Sequence, residues 1–269
     1  MKLAICSEIF INWEVENIIS YCANLGYDGL EISAPTLGER PDNMPLKRRD
    51  AIRNFAENHK IEIVGLHHVL SAAPGLFISS PDPKIRTYVT EYLIDMIDCC
   101  ADLGGQKMIF DSPAQRNIGA QQTFQEVWNY TREIFSQCLE HAEAKNITIC
   151  IEPMSPVETN FINSAAQAIK LIKELNHPNF QLQLDVKALC FEKKPVSEMI
   201  FESGQYLQHV HVNDLHGHEP GCGNMDFQPI LDTLRKIKYQ NYLSVEVSEL
   251  SDDGETIASR AYHYLSKLL

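Results

Sequence analysis

Leu207–Phe227, LQHVHVNDLHGHEPGCGNMDF, is the stretch from which the rest of the chain is read. Its first half has a strand's alternation. His209, His211 and Asn213 fall on one face and Val210 and Val212 on the other. Buried strands of parallel sheets are usually almost continuous apolar runs. Two imidazoles and an amide on one face of such a strand therefore need partners, because a buried polar group without a hydrogen bond costs free energy. The strand opens into a loop containing Pro220, Gly221 and Gly223, and Asp226 is expected to cap a following helix. A polar strand end leading through a loop into a helix is where α/β proteins build their sites.

Working outward, the same unit repeats. Strands are expected at 2–5, 29–33, 61–68, 107–111, 147–152, 180–185, 208–213 and 242–247. Helical periodicity fills the gaps at 13–25, 45–59, 83–103, 123–145, 164–175, 195–203, 227–237 and 254–268. Gly26 is placed to end the first helix as its C′ glycine. Strict alternation implies a parallel sheet. Eight units in a 269-residue chain predict a single α/β domain over residues 1–269, a closed (β/α)₈ TIM barrel. The rival, a doubly wound open sheet, would carry a glycine-rich phosphate turn after its first strand, and Cys6-Ser7-Glu8-Ile9-Phe10 is not one.

A formal net charge of −13 disfavours the phosphate backbone, so no nucleic-acid partner is expected. No apolar run reaches membrane-spanning length, so no membrane partner is expected either. The eight cysteines form no CxxC pair. The chain enters its first strand at once, without a signal-like segment, so reduced, packed thiols and a cytoplasmic location are expected.

Reading the C-terminal strand ends gives His67 and His68, Asp111, Glu152, Asp185, His211 and Glu246. The last four come from consecutive strands, each roughly one βα unit of about 30 residues apart, and so converge on one rim. Three crowded carboxylates repel unless a cation joins them. Three carboxylates and one imidazole suit one divalent ion, Mn²⁺ first, with Mg²⁺, Co²⁺ or Zn²⁺ as alternatives. His209 is read as a structural hydrogen-bonding group. Of the neighbours His67 and His68 at most one is expected to face the barrel, the other packing among the helices. Asp111 is read either as a site residue or as the cap of the turn at Ser112-Pro113. The Cys99-Cys100 pair falls in a helical pattern and is read as core.

These residues carry a resemblance. Ile151-Glu152-Pro153, Leu184-Asp185, His209-Val210-His211-Val212-Asn213-Asp214, Pro220-Gly221-x-Gly223-x-x-Asp226-Phe227 and Ser244-Val245-Glu246 resemble, in order and spacing, the sugar phosphate isomerase/epimerase superfamily. These are xylose isomerase-like TIM barrels that include the D-tagatose 3-epimerase group and endonuclease IV. The resemblance spans nearly the whole chain. It implies that Glu152, Asp185, His211 and Glu246 bind one divalent metal and that Glu152 and Glu246 are also the acid/base pair. It further places Glu158 near the substrate. Two departures accompany it. The family's Asp-x-x-His reads Asp185-Val186-Lys187-Ala188 here, and a substrate-binding arginine is missing from the loop after strand seven, which offers His216, Gly217 and His218. The missing histidine also removes part of the multi-zinc set of endonuclease IV.

The function expected is isomerisation or epimerisation of a small sugar or polyol carbonyl compound through an enediolate. Glu158, Lys187, His68, His216 and Asp111 are the expected substrate-binding residues. The alternatives are a metal-dependent dehydratase of the inosose or dehydroshikimate type, which begins with the same proton abstraction, and a degenerate barrel that only binds. Phosphodiesterase action on abasic DNA is a more distant reading. The partner expected is a sugar-like small molecule, with a homo-oligomer possible.

Overall fold

The computed structural model describes residues 1–38 and 40–269. Its eight strands are β1 (Lys2–Cys6), β2 (Gly29–Ser33), β3 (Glu62–His67), β4 (Lys107–Phe110), β5 (Thr148–Ile151), β6 (Phe180–Asp185), β7 (Leu207–Val212) and β8 (Tyr242–Val245). They pair in chain order, all parallel, and β8 returns to β1 through the register Lys2↔Tyr242 to Ile5↔Val245. That last pairing eliminates the open sheet and closes a TIM barrel. The helices are α1 (Val15–Leu25), α2 (Leu46–Asn58), α3 (Pro83–Asp102), α4 (Phe124–Ala144), α5 (Ala165–Leu175), α6 (Val186–Leu189), α7 (Val196–Ser203), α8 (Gln228–Lys236) and α9 (Gly254–Leu265).

Local chemistry sets the helix ends. Thr123 and Glu126 form a reciprocal capping box at α4, while Ser164 and Asp253 accept backbone N–H groups at the starts of α5 and α9. Gly26 closes α1 at φ 104°, the left-handed conformation expected of a C′ glycine. The Asp226 carboxylate accepts the Gln228 N–H at 3.0 Å, although the helix boundary lies at Phe227, one residue later than the sequence suggests. The four-residue α6 was not expected. Strand β6 stops at Asp185 because that residue's own carboxylate accepts the Ala188 N–H at 2.7 Å and starts a helical turn.

The outer face of the barrel and the helices enclose the apolar core, exemplified by Phe110, Phe135 and Phe180 with ring centroids 5.0 and 4.9 Å apart. Cys99 and Cys100 are buried in it, and all eight cysteines are free. The barrel's interior differs. Most barrels fill it with branched aliphatic side chains. Here the alternation that aims Glu152, Asp185 and His211 at the rim also turns Glu31, Cys150, Gln183, His209 and Ser244 inward, each fully buried. Among the described residues no helix is long and apolar enough to cross a membrane.

Candidate active site

Strands β5 to β8 end in the four side chains singled out by the sequence. Glu152 follows β5, Asp185 ends β6, His211 lies one residue before the end of β7 and Glu246 follows β8. Ligand atoms of Glu152, Asp185 and His211 lie within 4.8 Å of one another, and all three residues are buried. Glu246 joins them through His211, its Oε2 lying 3.3 Å from Nδ1 of the imidazole. Each group is held from behind. Both Asp185 oxygens are occupied, one by the Ala188 N–H and the other by Asn213 Nδ2 at 2.5 Å. The Glu152 main chain is fixed by Arg116, a fully buried residue whose guanidinium donates to the carbonyls of Glu152 (2.7 Å), Phe110 (2.6 Å) and Ser112 (3.3 Å). Burial pulls the Arg116 guanidinium down to about 10.

Electrostatically the rim is strained. Burial, then the charges of Glu246 and Asp185, pushes the Glu152 carboxyl well above the usual range. Burial and Glu246 push Asp185 up to about 7. Glu246 goes the other way, to about 2: burial would raise it, but the adjoining His211 outweighs burial, helped by His68 and His67. His211 is held well above its ordinary value because Glu246 and Glu31 together overcome its burial.

A second cluster lies beneath the rim, and the sequence did not disclose it. Glu31 of β2, fully buried, accepts His209 Nε2 on one oxygen (2.6 Å) and His211 Nε2 on the other (2.9 Å). His67 Nδ1 stands 3.3 Å from the same carboxylate, and its Nε2 lies 3.0 Å from Glu8 Oε2. Burial opposes ionisation of Glu31, yet His209 and His211 hold its carboxyl well below the usual range. Glu8 likewise lay unnoticed after β1. A motif scan that looks for acids at strand ends passes over Glu31 because it is mid-strand. The signal was the strand's own pattern, an acid between Leu30 and Ile32 with no exposed face to account for it. His209 is the structural hydrogen-bonding group that the sequence suggested.

The expectation for His67 and His68 is corrected. Both face the site side. Strand β3 ends at His67, and His68 adopts φ 53°, so strand alternation no longer governs it. His68 Nδ1 lies 3.1 Å from Ser33 Oγ, and its backbone N–H donates to the Asp111 carboxylate, which thereby caps this turn while also lining the cavity.

Above the rim is a cavity of about 340 Å³, lined by Glu8, His68, Asp111, Glu152, Glu158, Asp185, Lys187 and Glu246 with an apolar lip that includes Met154, Val247 and Leu250. Lys187 reaches it from α6 rather than from a continued strand. Its Nζ bonds Glu158 Oε1 at 3.2 Å and Ser248 Oγ at 3.1 Å. It is the only lysine or arginine among the cavity's described lining residues, and Glu158 already neutralises it. His216 is not brought in: it is exposed in the turn after β7 and does not line the cavity. Gly217 beside it, at φ 79°, has no room for a side chain, since a Cβ there would meet Ser248 Oγ at 2.3 Å.

The rim residues fit a divalent cation. Glu152 Oε2 and His211 Nδ1 are buried without a hydrogen-bond partner, and the donor set is three hard carboxylates and one imidazole.

Comparison with known proteins agrees with this geometry. The L-ribulose 3-epimerase of Mesorhizobium japonicum is 28% identical over 179 residues, which span 66% of this chain but only 60% of that protein. The D-psicose 3-epimerase of Ruminiclostridium cellulolyticum is 26% identical over 238 residues, 87% of this chain and 79% of the relative. A crystal structure of D-psicose 3-epimerase with D-tagatose, from Clostridium cellulolyticum H10, superposes with a TM-score of 0.87 at 22% identity, covering 100% of this chain and 98% of that one. That likeness is one of fold. The family model described as xylose isomerase-like TIM barrel matches residues 19–268. With a closed eight-stranded barrel and that match over nearly its whole length, the chain belongs to the xylose isomerase-like TIM barrel family.

Proposed function

We propose that this chain is a divalent-metal-dependent sugar epimerase acting on a small neutral ketose. The observation that carries the reading is the convergence of Glu152, Asp185 and His211 within 4.8 Å, joined by Glu246, at the floor of a sugar-sized cavity. The similarity to named ketose 3-epimerases supports epimerisation beside the carbonyl.

Glu152, Asp185, His211 and Glu246 are the residues that would hold the ion, Mn²⁺ first among the candidates. When bound, a divalent ion supplies Lewis-acid stabilisation of negative charge developing on neighbouring oxygens. The chain's own residues supply the rest. Removal of the proton α to the carbonyl needs a base within hydrogen-bond reach of that carbon, and its return to the opposite face needs an acid on the other side. Glu152 just after β5 and Glu246 just after β8 bracket the set and would fill those two roles. Asp185 and His211 are ligands only, the first held by Asn213 and Ala188 and the second by Glu31. The Glu158–Lys187–Ser248 group, His68 and Asp111 line the cavity and would contact the far hydroxyls.

The cavity's charge supports a neutral substrate. Glu8, Asp111, Glu152, Glu158, Asp185 and Glu246 line it against one lysine that is already paired. Even with a divalent ion bound, a phosphate or carboxylate would face net repulsion.

The test is solvent exchange. D-fructose, D-tagatose and L-ribulose are incubated in D₂O with Mn²⁺-loaded protein and followed by NMR. Deuterium at C3 together with the C3 epimer supports the reading. Water loss from an inosose without ketose exchange would replace it with the dehydratase, and no exchange from any of these sugars would contradict it.

A further inference from the structure

We infer that Glu31, on the opposite side of the barrel from the rim set, is a positioning residue that selects which nitrogen of His211 serves the metal. The inference rests on the proposed metal role of His211. An imidazole has two chemically distinct nitrogens, and the hydrogen bond made by one decides which lone pair remains for a ligand. In this structure the choice is already made. His211 Nε2 is 2.9 Å from Glu31 Oε1, and since a carboxylate oxygen is an acceptor, the contact assigns the proton of that bond to Nε2. Nδ1 is left facing Glu246, 3.3 Å away, and is the nitrogen on the rim side.

Glu31 is itself immobilised. Its second oxygen accepts His209 Nε2 at 2.6 Å, His67 Nδ1 flanks it at 3.3 Å, and the side chain is fully buried on a strand paired on both edges. A carboxylate buried this deep normally costs stability. Placing one between two histidines inside a barrel is explained by the atom it fixes. The two bonds also separate positioning from stability, because His209 shares the carboxylate and packs edge-on against the His211 ring at 5.1 Å between centroids, but it is not one of the four rim residues proposed to hold the ion.

The experiment measures Mn²⁺ binding by calorimetry and by the EPR signal of free Mn²⁺, with thermal unfolding of the metal-free proteins in parallel. Wild-type binding is the control for the reading on which the inference rests: if wild type binds no Mn²⁺, the metal assignment falls first. Given wild-type binding, Glu31→Gln should weaken Mn²⁺ by about 10- to 100-fold, the usual effect of removing the group that orients a ligating histidine. Its amide can satisfy one histidine as acceptor only by offering the other a donor, so one ring loses its fixed tautomer. Glu31→Asp, which keeps the charge and shortens the reach, should lie between the two and serves as the measured variant if Glu31→Gln does not fold. His209→Gln, which leaves the Glu31–His211 bond in place, should bind Mn²⁺ within about threefold of wild type even where its unfolding temperature falls. Wild-type affinity in Glu31→Gln, or an equal loss in His209→Gln, overturns the inference, since the cluster would then be structural alone.

Discussion

The two halves of the barrel treat their buried charges differently. On the β1–β3 side the two acids nearest the site each have an imidazole: Glu31 is shared by His209 and His211, and Glu8 bonds His67. On the β5–β8 side three carboxylates converge on one imidazole, leaving Glu152 Oε2 without a partner and pushing Glu152 and Asp185 upward. The first half sets each of these carboxylates against an imidazole, so it can act as a support. The second is incomplete as it stands, and a cation is what would complete it. The division of labour that follows is positioning from one half and chemistry from the other.

The sharpest way to break that division is to neutralise one acid in each half. Glu246→Gln keeps the shape and one oxygen of the proposed ligand but removes the proposed base. It should bind Mn²⁺ measurably while turnover falls by about 10² or more, the scale of a positioned acid or base. Glu8→Gln should lose about tenfold at most, because His67 still has an acceptor and no reacting group is removed. Equal losses in steady-state rates would show that the halves are not distinct.

Arg116 probes how the reactive half is held. It is a buried cation whose partners are three carbonyls rather than a carboxylate, and those carbonyls end β4 and β5. Arg116→Met should cost roughly 3 kcal/mol in urea unfolding, from the Glu152 and Ser112 carbonyls that lose their guanidinium donor, the Phe110 carbonyl keeping the Glu152 N–H. A loss under about 0.5 kcal/mol would mean that water replaces the guanidinium and that Glu152 does not depend on it.

Lys187 sharpens the comparison at the substrate end. Lys187→Met frees Glu158 and removes the cavity's cationic contact. The apparent KM for the true ketose should rise by about tenfold, equivalent to one lost polar contact of about 1.4 kcal/mol, with Mn²⁺ affinity unchanged. If kcat falls and KM does not, Lys187 acts in the chemistry instead.

The smallest expected effect is a pH dependence of the metal-free protein. Asp185 rises from 3.8 to about 7 on folding. A carboxyl with a raised folded value favours folding fully only below its unfolded value, and that contribution is lost as pH climbs through the folded one. Glu152 acts in the same direction. Glu246, depressed from 4.5 to about 2, contributes fully only above its ordinary value and fades as pH falls from there through about 2. Unfolding temperatures should therefore decline from about pH 5 to about pH 7 without metal, and saturating Mn²⁺, which binds the ionised carboxylates, should flatten the decline. A profile that rises over the same range without metal would contradict the crowding described for the rim.

The same comparison explains what was legible in the sequence. The eight strands were readable because parallel strands buried on both faces are short apolar runs between amphipathic helices. Glu152, Asp185, His211 and Glu246 stood out because chain order places them at consecutive strand ends. The supporting half was harder to see. Glu31 is mid-strand, and its partners lie 178 and 180 residues away, so no local spacing connects them. His68 lines the cavity as expected, but alternation wrongly sends one of the His67–His68 pair among the helices, because a left-handed residue breaks the strand pattern, a local event that periodicity does not encode. Residue 187 lies in a helical turn that the Asp185 side chain starts, and strand alternation does not encode that turn. His216 was selected for its chemistry in a loop after β7, and there backbone geometry rather than residue type decides direction.

The most direct test of the account is a calorimetric Mn²⁺ titration of metal-stripped wild type beside Asp185→Ala. The four-residue set predicts one ion per chain in the wild type, and binding weakened by at least about 10²-fold when a carboxylate ligand is lost. Equal affinity in the two proteins, or no ion bound by either, would contradict it.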